Sequence, residues 1–154
     1  MTSSGEMDLT RLLTTLQPKL QPGEYVFVTL PKAEGGGWPE VAVRCLPHVV
    51  GTFVEEEGIT LIVPLTTCGG LPDGTQRSAP QRMITLECHS SLEAVGLTYR
   101  VSQRLASLGI SCNVVAAYYH DHIFVAVDRA ELACEALCKL QADAKVEVAV
   151  TSGK

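Results

Sequence analysis

The chain has 154 residues, 46% of them hydrophobic and 19% charged, enough apolar material to bury one core or two modules of about 70 residues. Its net charge of −5, without any run of Lys or Arg, excludes a nucleic-acid backbone or an anionic membrane as the main partner. The polar start from Met1 to Glu6 and the lack of an 18-residue apolar window make a cytoplasmic protein the expectation.

In chain order, Asp8 to Leu16 places Leu9, Leu12, Leu13 and Leu16 on one side of a predicted helix. Tyr25 to Leu30 reads as a strand, and Val49–Val54 with Ile59–Val63 reads as a hairpin around the solvated tip Glu55-Glu56-Glu57-Gly58. The stretches Glu34–Pro39 and Cys68–Gly74 are too rich in Gly and Pro for a long helix. One face of this first sheet would be bare, so the N-terminal helix is expected to cover it, with Gly74–Pro80 as a linker.

The second half is denser. Ile84 to His89 alternates like a half-buried strand. Ser90 stands three before Glu93, a capping-box spacing, and Leu97, Val101, Leu105 and Leu108 follow as one stripe until Gly109. Cys112–Tyr119 and His122–Val127 form a predicted hairpin across His120-Asp121. Asp128 and Glu131 open a second helix with Leu132, Ala133, Ala136, Leu137 and Leu140 inward, and Val146, Val148 and Val150 are predicted to close the module as a strand. The order is βαββαβ. An offset of 64 lays the first hairpin on the second, with Val50 on Val114, Ile59 on Ile123 and Val63 on Val127.

The run from Ile84 to Thr98, the segment Cys112 to His122, and in the first half Pro22–Phe27 and Glu56–Leu61 together resemble the small bacterial tandem ACT-domain proteins. That family is related to the ACT regulatory regions of aspartate kinases and to the cytosolic arginine sensor of animals. The resemblance implies a regulatory module that binds an amino acid or similar metabolite where ACT units meet. The chain departs from the family in its Gly-rich stretch Glu34–Gly37 and its polar stretch Thr75–Gln81. The expected fold is α+β: two ferredoxin-like (βαββαβ) ACT modules in tandem, a reduced one over residues 7–74 and a complete one over 82–151.

A strand-to-helix turn presents unpaired amides and a positive helix end, so it suits a carboxylate. Candidate ligand-binding residues are therefore Ser90, Ser91, Glu93, Val95, Gly96, Leu97 and Asn113. Gly96 would allow close backbone approach, Glu93 would hold an ammonium and Asn113 would bond both groups; alternatively Ser90 and Glu93 simply cap the helix and Gly96 is a packing glycine. His120-Asp121-His122 and His89 have metal-ligand chemistry. Strand lengths, however, put His89 roughly 15–20 Å from the other two, at the opposite edge of the sheet. No metal or cofactor is therefore expected. The six cysteines lack a CxxC pair and read mostly as buried thiols acting as small hydrophobes.

No nucleophile sits in a recognisable elbow or phosphate loop, so no catalytic residue is assigned. The leading expectation is a non-enzymatic sensor of an amino acid, at least dimeric, with a possible protein partner. The alternatives are a small metal-dependent or cysteine-using enzyme on this fold and a purely structural interaction module.

Overall fold

The computed structural model describes residues 5–88 and 90–152. In chain order the elements are α1 (Leu9–Thr15), β1 (Pro18–Leu20), β2 (Tyr25–Leu30), α2 (Glu40–Cys45), β3 (Gly51–Val54), β4 (Ile59–Pro64), β5 (Gln76–Arg77), β6 (Gln81–Leu86), α3 (Leu97–Ala106), β7 (Cys112–Ala116), β8 (Asp121–Ala126) and α4 (Ala130–Ser152). They form two compact units, residues 23–81 and residues 1–22 with 82–154.

The first unit keeps the full ferredoxin-like order in reduced form. β2 pairs antiparallel with β4 and with β5, and β4 pairs with β3. Val26, Val28, Leu30, Ile59, Leu61 and Val63 alternate onto one face, where Ala42 and Cys45 of α2 complete the core. Pro39 fixes the entry to α2, Glu40 and Arg44 suit its two ends, and the helix lasts only six residues before the 3₁₀ turn Leu46–His48. A second 3₁₀ turn, Leu65–Gly70, stands where the second helix of the order would be. The predicted linker Gly74–Pro80 contains β5: Arg77 faces Val28, Gln76 faces Thr29, and Ser78 and Phe27 exchange bonds at 2.8 and 3.0 Å. Polar residues hid this strand, because an edge strand that buries no side chain leaves no apolar alternation.

The second unit departs from expectation at both ends. Its chain does not finish as a strand. From Gly109 to Gly153 there is neither Gly nor Pro, and α4 runs through Val146, Val148 and Val150 as a 23-residue helix. Three valines cost a helix only a few tenths of a kcal/mol each, too little to end one with no breaker. The strand position beside β6 is filled by β1, with Pro18 facing Leu86, Lys19 facing Thr85 and Leu20 facing Ile84. A Lys19–Glu87 ion pair at 3.1 Å and the bond from Gln21 N–H to Met83 O extend that pairing.

α1 therefore belongs here and not over the first sheet. Leu12, Leu13 and Leu16 are at most 4% exposed and share one core with Ile84, Leu86, Val101, Leu105, Leu137 and Leu140. The Asp8 carboxylate caps α1 by accepting from Arg11 N–H at 2.8 Å, and Gln141 Nε2 donates to Thr14 O at 3.3 Å from α4. The predicted module 7–74 thus loses its first sixteen residues to the other unit.

The hairpins repeat with a different offset from the one expected. Val54 faces Ile59 as Ala116 faces Asp121, so 54 maps to 116 and 59 to 121, an offset of 62. Two residues preserve the strand's inside–outside parity, which is why the apolar pattern alone did not distinguish 62 from 64.

Two substitutions separate this arrangement from the expected one. Leu16→Ala should destabilise the second unit by about 2–5 kcal/mol in urea denaturation, as for a fully buried leucine. Val146→Ala should stay within about 0.5 kcal/mol, since Val146 is 63% exposed on a helix; a loss comparable to that of Leu16→Ala would contradict the helical C-terminus.

Candidate functional site

The site begins where β6 ends. Past Leu86 the chain folds through short bonds: Cys88 N–H to Leu86 O at 2.8 Å, Ser90 N–H to Cys88 O at 2.9 Å and Ala94 N–H to Ser91 O at 2.9 Å. The N-terminal segment lies directly on this turn. Glu6 and Ser90 form a parallel bridge, Ser91 N–H donates to Glu6 O at 2.9 Å, and a side chain on Gly5 would collide with the Ser91 backbone at 2.4 Å.

Ser90 and Glu93 do not cap the helix as predicted. Ser91 Oγ accepts from Glu93 N–H at 3.2 Å inside the turn, and α3 starts only at Leu97, behind Gly96 with φ 104°. Because Gly96 offers no side-chain cap, the first-turn amides of Leu97, Thr98 and Tyr99 meet no acceptor among the described residues. Gly96 itself is explained by the fold. Its φ is left-handed, and a Cβ there would sit 2.9 Å from Leu9 Cδ2 of the N-terminal helix, which favours the packing-glycine alternative.

Ser90, Ser91, Ala94, Leu97, Thr98 and Asp121 line a small cavity of about 70 Å³, together with Leu92 and Ala116. Of the predicted residues, the structure brings Ser90, Ser91 and Leu97 together here. Glu93 and Val95 are exposed and outside the lining, Gly96 sits behind it against Leu9, and Asn113 on β7, paired in register with Phe124 of β8, is outside the lining. Thr98, Ala116 and above all Asp121 were not foreseen.

Asp121 overturns the expectation that His120-Asp121-His122 lies at the opposite edge of the sheet. β8 is the neighbour of β6, and Thr85 Oγ1 is 3.1 Å from His122 Nδ1, so the β7–β8 hairpin tip returns to the end where β6 stops. Gln21 Nε2 donates to the same Thr85 hydroxyl at 3.1 Å. His89 lies outside the described residues. Among those that are described, no three His, Cys, Asp or Glu side chains gather as metal ligands.

Asp121 is only 9% exposed as a residue, and no side-chain hydrogen bond joins it to another described residue. Burial raises its proton affinity, partly offset by His122 and His120. Burial lowers the proton affinity of His122, as does His120, while Asp121 opposes both. Burial, then the Asp121 charge, pushes the Cys88 thiol up to about 11, so it stays protonated near neutrality. In the first unit the position equivalent to Asp121 is Ile59, 1% exposed. The fold is therefore content with an aliphatic side chain there, and in the second unit it carries a carboxyl that lines the same cavity as Leu97 and Thr98 of the α3 first turn.

Two ACT-domain family models match the chain, one over residues 4–68 and the other over residues 78–139. Among solved structures the chain is similar to VC0802 from Vibrio cholerae, a protein of unknown function and possible transport protein, at 40% identity over 86% of this chain and 95% of that one, with a TM-score of 0.70. It shares its fold with Atu0741 from Agrobacterium tumefaciens, at 16% identity over 82% and 89% of the two chains and a TM-score of 0.62. The regulatory subunit of aspartate kinase from Thermus flavus is likewise similar in fold, at 10% identity over 80% and 96% and a TM-score of 0.59. No curated relative matches the chain. Two ACT-domain matches in series, and a 40%-identical relative of nearly equal extent, show that this chain belongs to the ACT-domain family as a tandem pair.

Proposed function

We propose that the chain is a non-enzymatic sensor that binds a small amino acid, or a similar amine-bearing metabolite, in the cavity between the turn 90–98 and Asp121. ACT domains serve regulatory ligand binding, and the observation that carries the reading is the buried Asp121 in place of the first unit's isoleucine. A cavity of about 70 Å³ has room for an amine head, about twice the ~30 Å³ share of one water, while the rest of the ligand stays at the mouth. There the ligand ammonium would replace the solvation that burial takes from Asp121, and the ligand carboxylate would meet the free amides of Leu97 and Thr98, at the positive end of α3.

Occupancy acts by population shift. Ser91 bonds Glu6 through its amide while its side chain lines the cavity, so a ligand that orders the turn also favours docking of the N-terminal segment. Self-association into at least a dimer is part of the proposal, with Leu92, Val95 and Tyr99, each at least 63% exposed, as apolar surface. The protonated state of Cys88 gives the cysteine-enzyme alternative no thiolate at this site.

A thermal-shift screen of the twenty amino acids tests the reading. One or a few should raise the melting temperature selectively, with about 2.7 kcal/mol added at a hundredfold excess over Kd, and Asp121→Asn should erase the response in a folded protein. Silence across the screen, or an unchanged response in the variant, would sink it.

Asp121 also sets a pH dependence without ligand. The folded chain holds this proton to higher pH than the unfolded one, so stability declines as pH rises from the unfolded value of about 3.9 through the raised folded value. Asp121→Asn should therefore be the more stable protein at pH 7, and the gap should close as pH falls towards about 4. A gap of constant size across that range would show that Asp121 is not destabilised by burial.

A further inference from the structure

The first unit contains a larger cleft that the amino-acid reading does not use. Because the 3₁₀ turn Leu65–Gly70 replaces the second helix, the space beside the end of α2 stays open as a cavity of about 490 Å³, within the usual range for a metabolite pocket. Arg44, Cys45 and His48 line it from the α2 side, and Thr66, Thr67 and Gly70 from the 3₁₀ turn.

Its polar groups are of one kind. Among the described residues the side chains of Arg44, His48, Thr66 and Thr67 make no hydrogen bond or ion pair, and no carboxylate lines the cleft. Glu40, one helical turn before Arg44, forms no ion pair with it; the described ion pairs are Arg11–Glu6 and Lys19–Glu87, both in the other unit. The exposed Arg44 guanidinium thus shares the cleft lining with an imidazole and two hydroxyls, a donor set suited to a planar or tetrahedral oxyanion.

The backbone opposite is open as well. Gly69 and Gly70 have no left-handed φ, and a Cβ on either would touch nothing within 4 Å. Without a side chain at either position, the amides of the turn are open to close approach by a ligand.

We infer that this cleft is a second ligand site, which binds the oxyanion group of a small metabolite, a phosphate monoester or a carboxylate, through the Arg44 fork with Thr66, Thr67 and His48 around it. The site is independent of the cavity at Asp121.

Titration of the ¹⁵N-labelled full chain with inorganic phosphate and separately with succinate, at constant ionic strength, tests this by NMR. Saturable shifts should concentrate at Thr66, Thr67, Gly69, Gly70 and the Arg44 side chain. Saturation with phosphate alone assigns a phosphate ester, with succinate alone a carboxylate, and with both an oxyanion site that does not discriminate. Arg44→Gln, at an exposed position, should keep the remaining spectrum and weaken binding about tenfold or more; Thr66→Val should weaken it less. No saturable shift at tens of millimolar of either anion, or an affinity unchanged in both variants, would overturn the proposal.

Discussion

The docking of β1 onto β6 is the contact on which the second unit depends. A strand that carries Ile84 and Leu86 into a core needs a neighbour on each side, and the following chain cannot supply one because α4 never breaks. Residues before the first unit fill the vacancy. β1 then brings α1 with it, and Leu12 and Leu13 of α1 with Leu16 just after it join the core with α3 and α4. The same stretch reaches back to Glu6, which holds the turn at Ser91. The edge of the sheet, the core and the wall of the candidate site are thus maintained by one piece of chain some seventeen residues long.

Against that background the difference between the two hairpins gains weight. Ile59 and Asp121 occupy equivalent places at the base of their strands, both nearly enclosed. A buried carboxyl without a hydrogen-bond partner among the described residues costs stability, whereas the isoleucine contributes some. Natural proteins retain such local losses mainly where chemistry or recognition needs them, so the second unit bears a cost from which the first is free. The first unit, relieved of a second helix, is open elsewhere, on its helix face.

Much of this was legible in the residues. The strands from Tyr25, Ile59, Ile84 and His122 announced themselves by alternation, α3 by its leucine stripe, and the βαββα order by their sequence. The role of α1 was not, because an amphipathic helix states which of its faces is apolar and not which sheet it covers. The end of α4 was not legible from Val146, Val148 and Val150, whose alternation imitates a strand; the stronger signal is the missing helix breaker. Of the proposed cavity's lining, Ser90, Ser91 and Leu97 were legible from the turn. Asp121 was seen as a residue but placed at the wrong end of the sheet, an error of strand direction and not of chemistry. The uncapped start at Leu97 was hidden by a capping-box spacing at Ser90 that serves the turn instead.

The nested connectivity has a kinetic meaning. Residues 23–81 form a unit built from one continuous stretch, whereas α1 and β1 must wait for partners that lie more than sixty residues downstream. During synthesis at about 5–20 residues per second, the inserted unit is complete while its predecessor still has nothing to pack on. For those seconds Leu12, Leu13 and Leu16 are exposed on a nascent amphipathic segment, which makes the interval before β6 and α4 emerge the period of greatest exposure to misassembly.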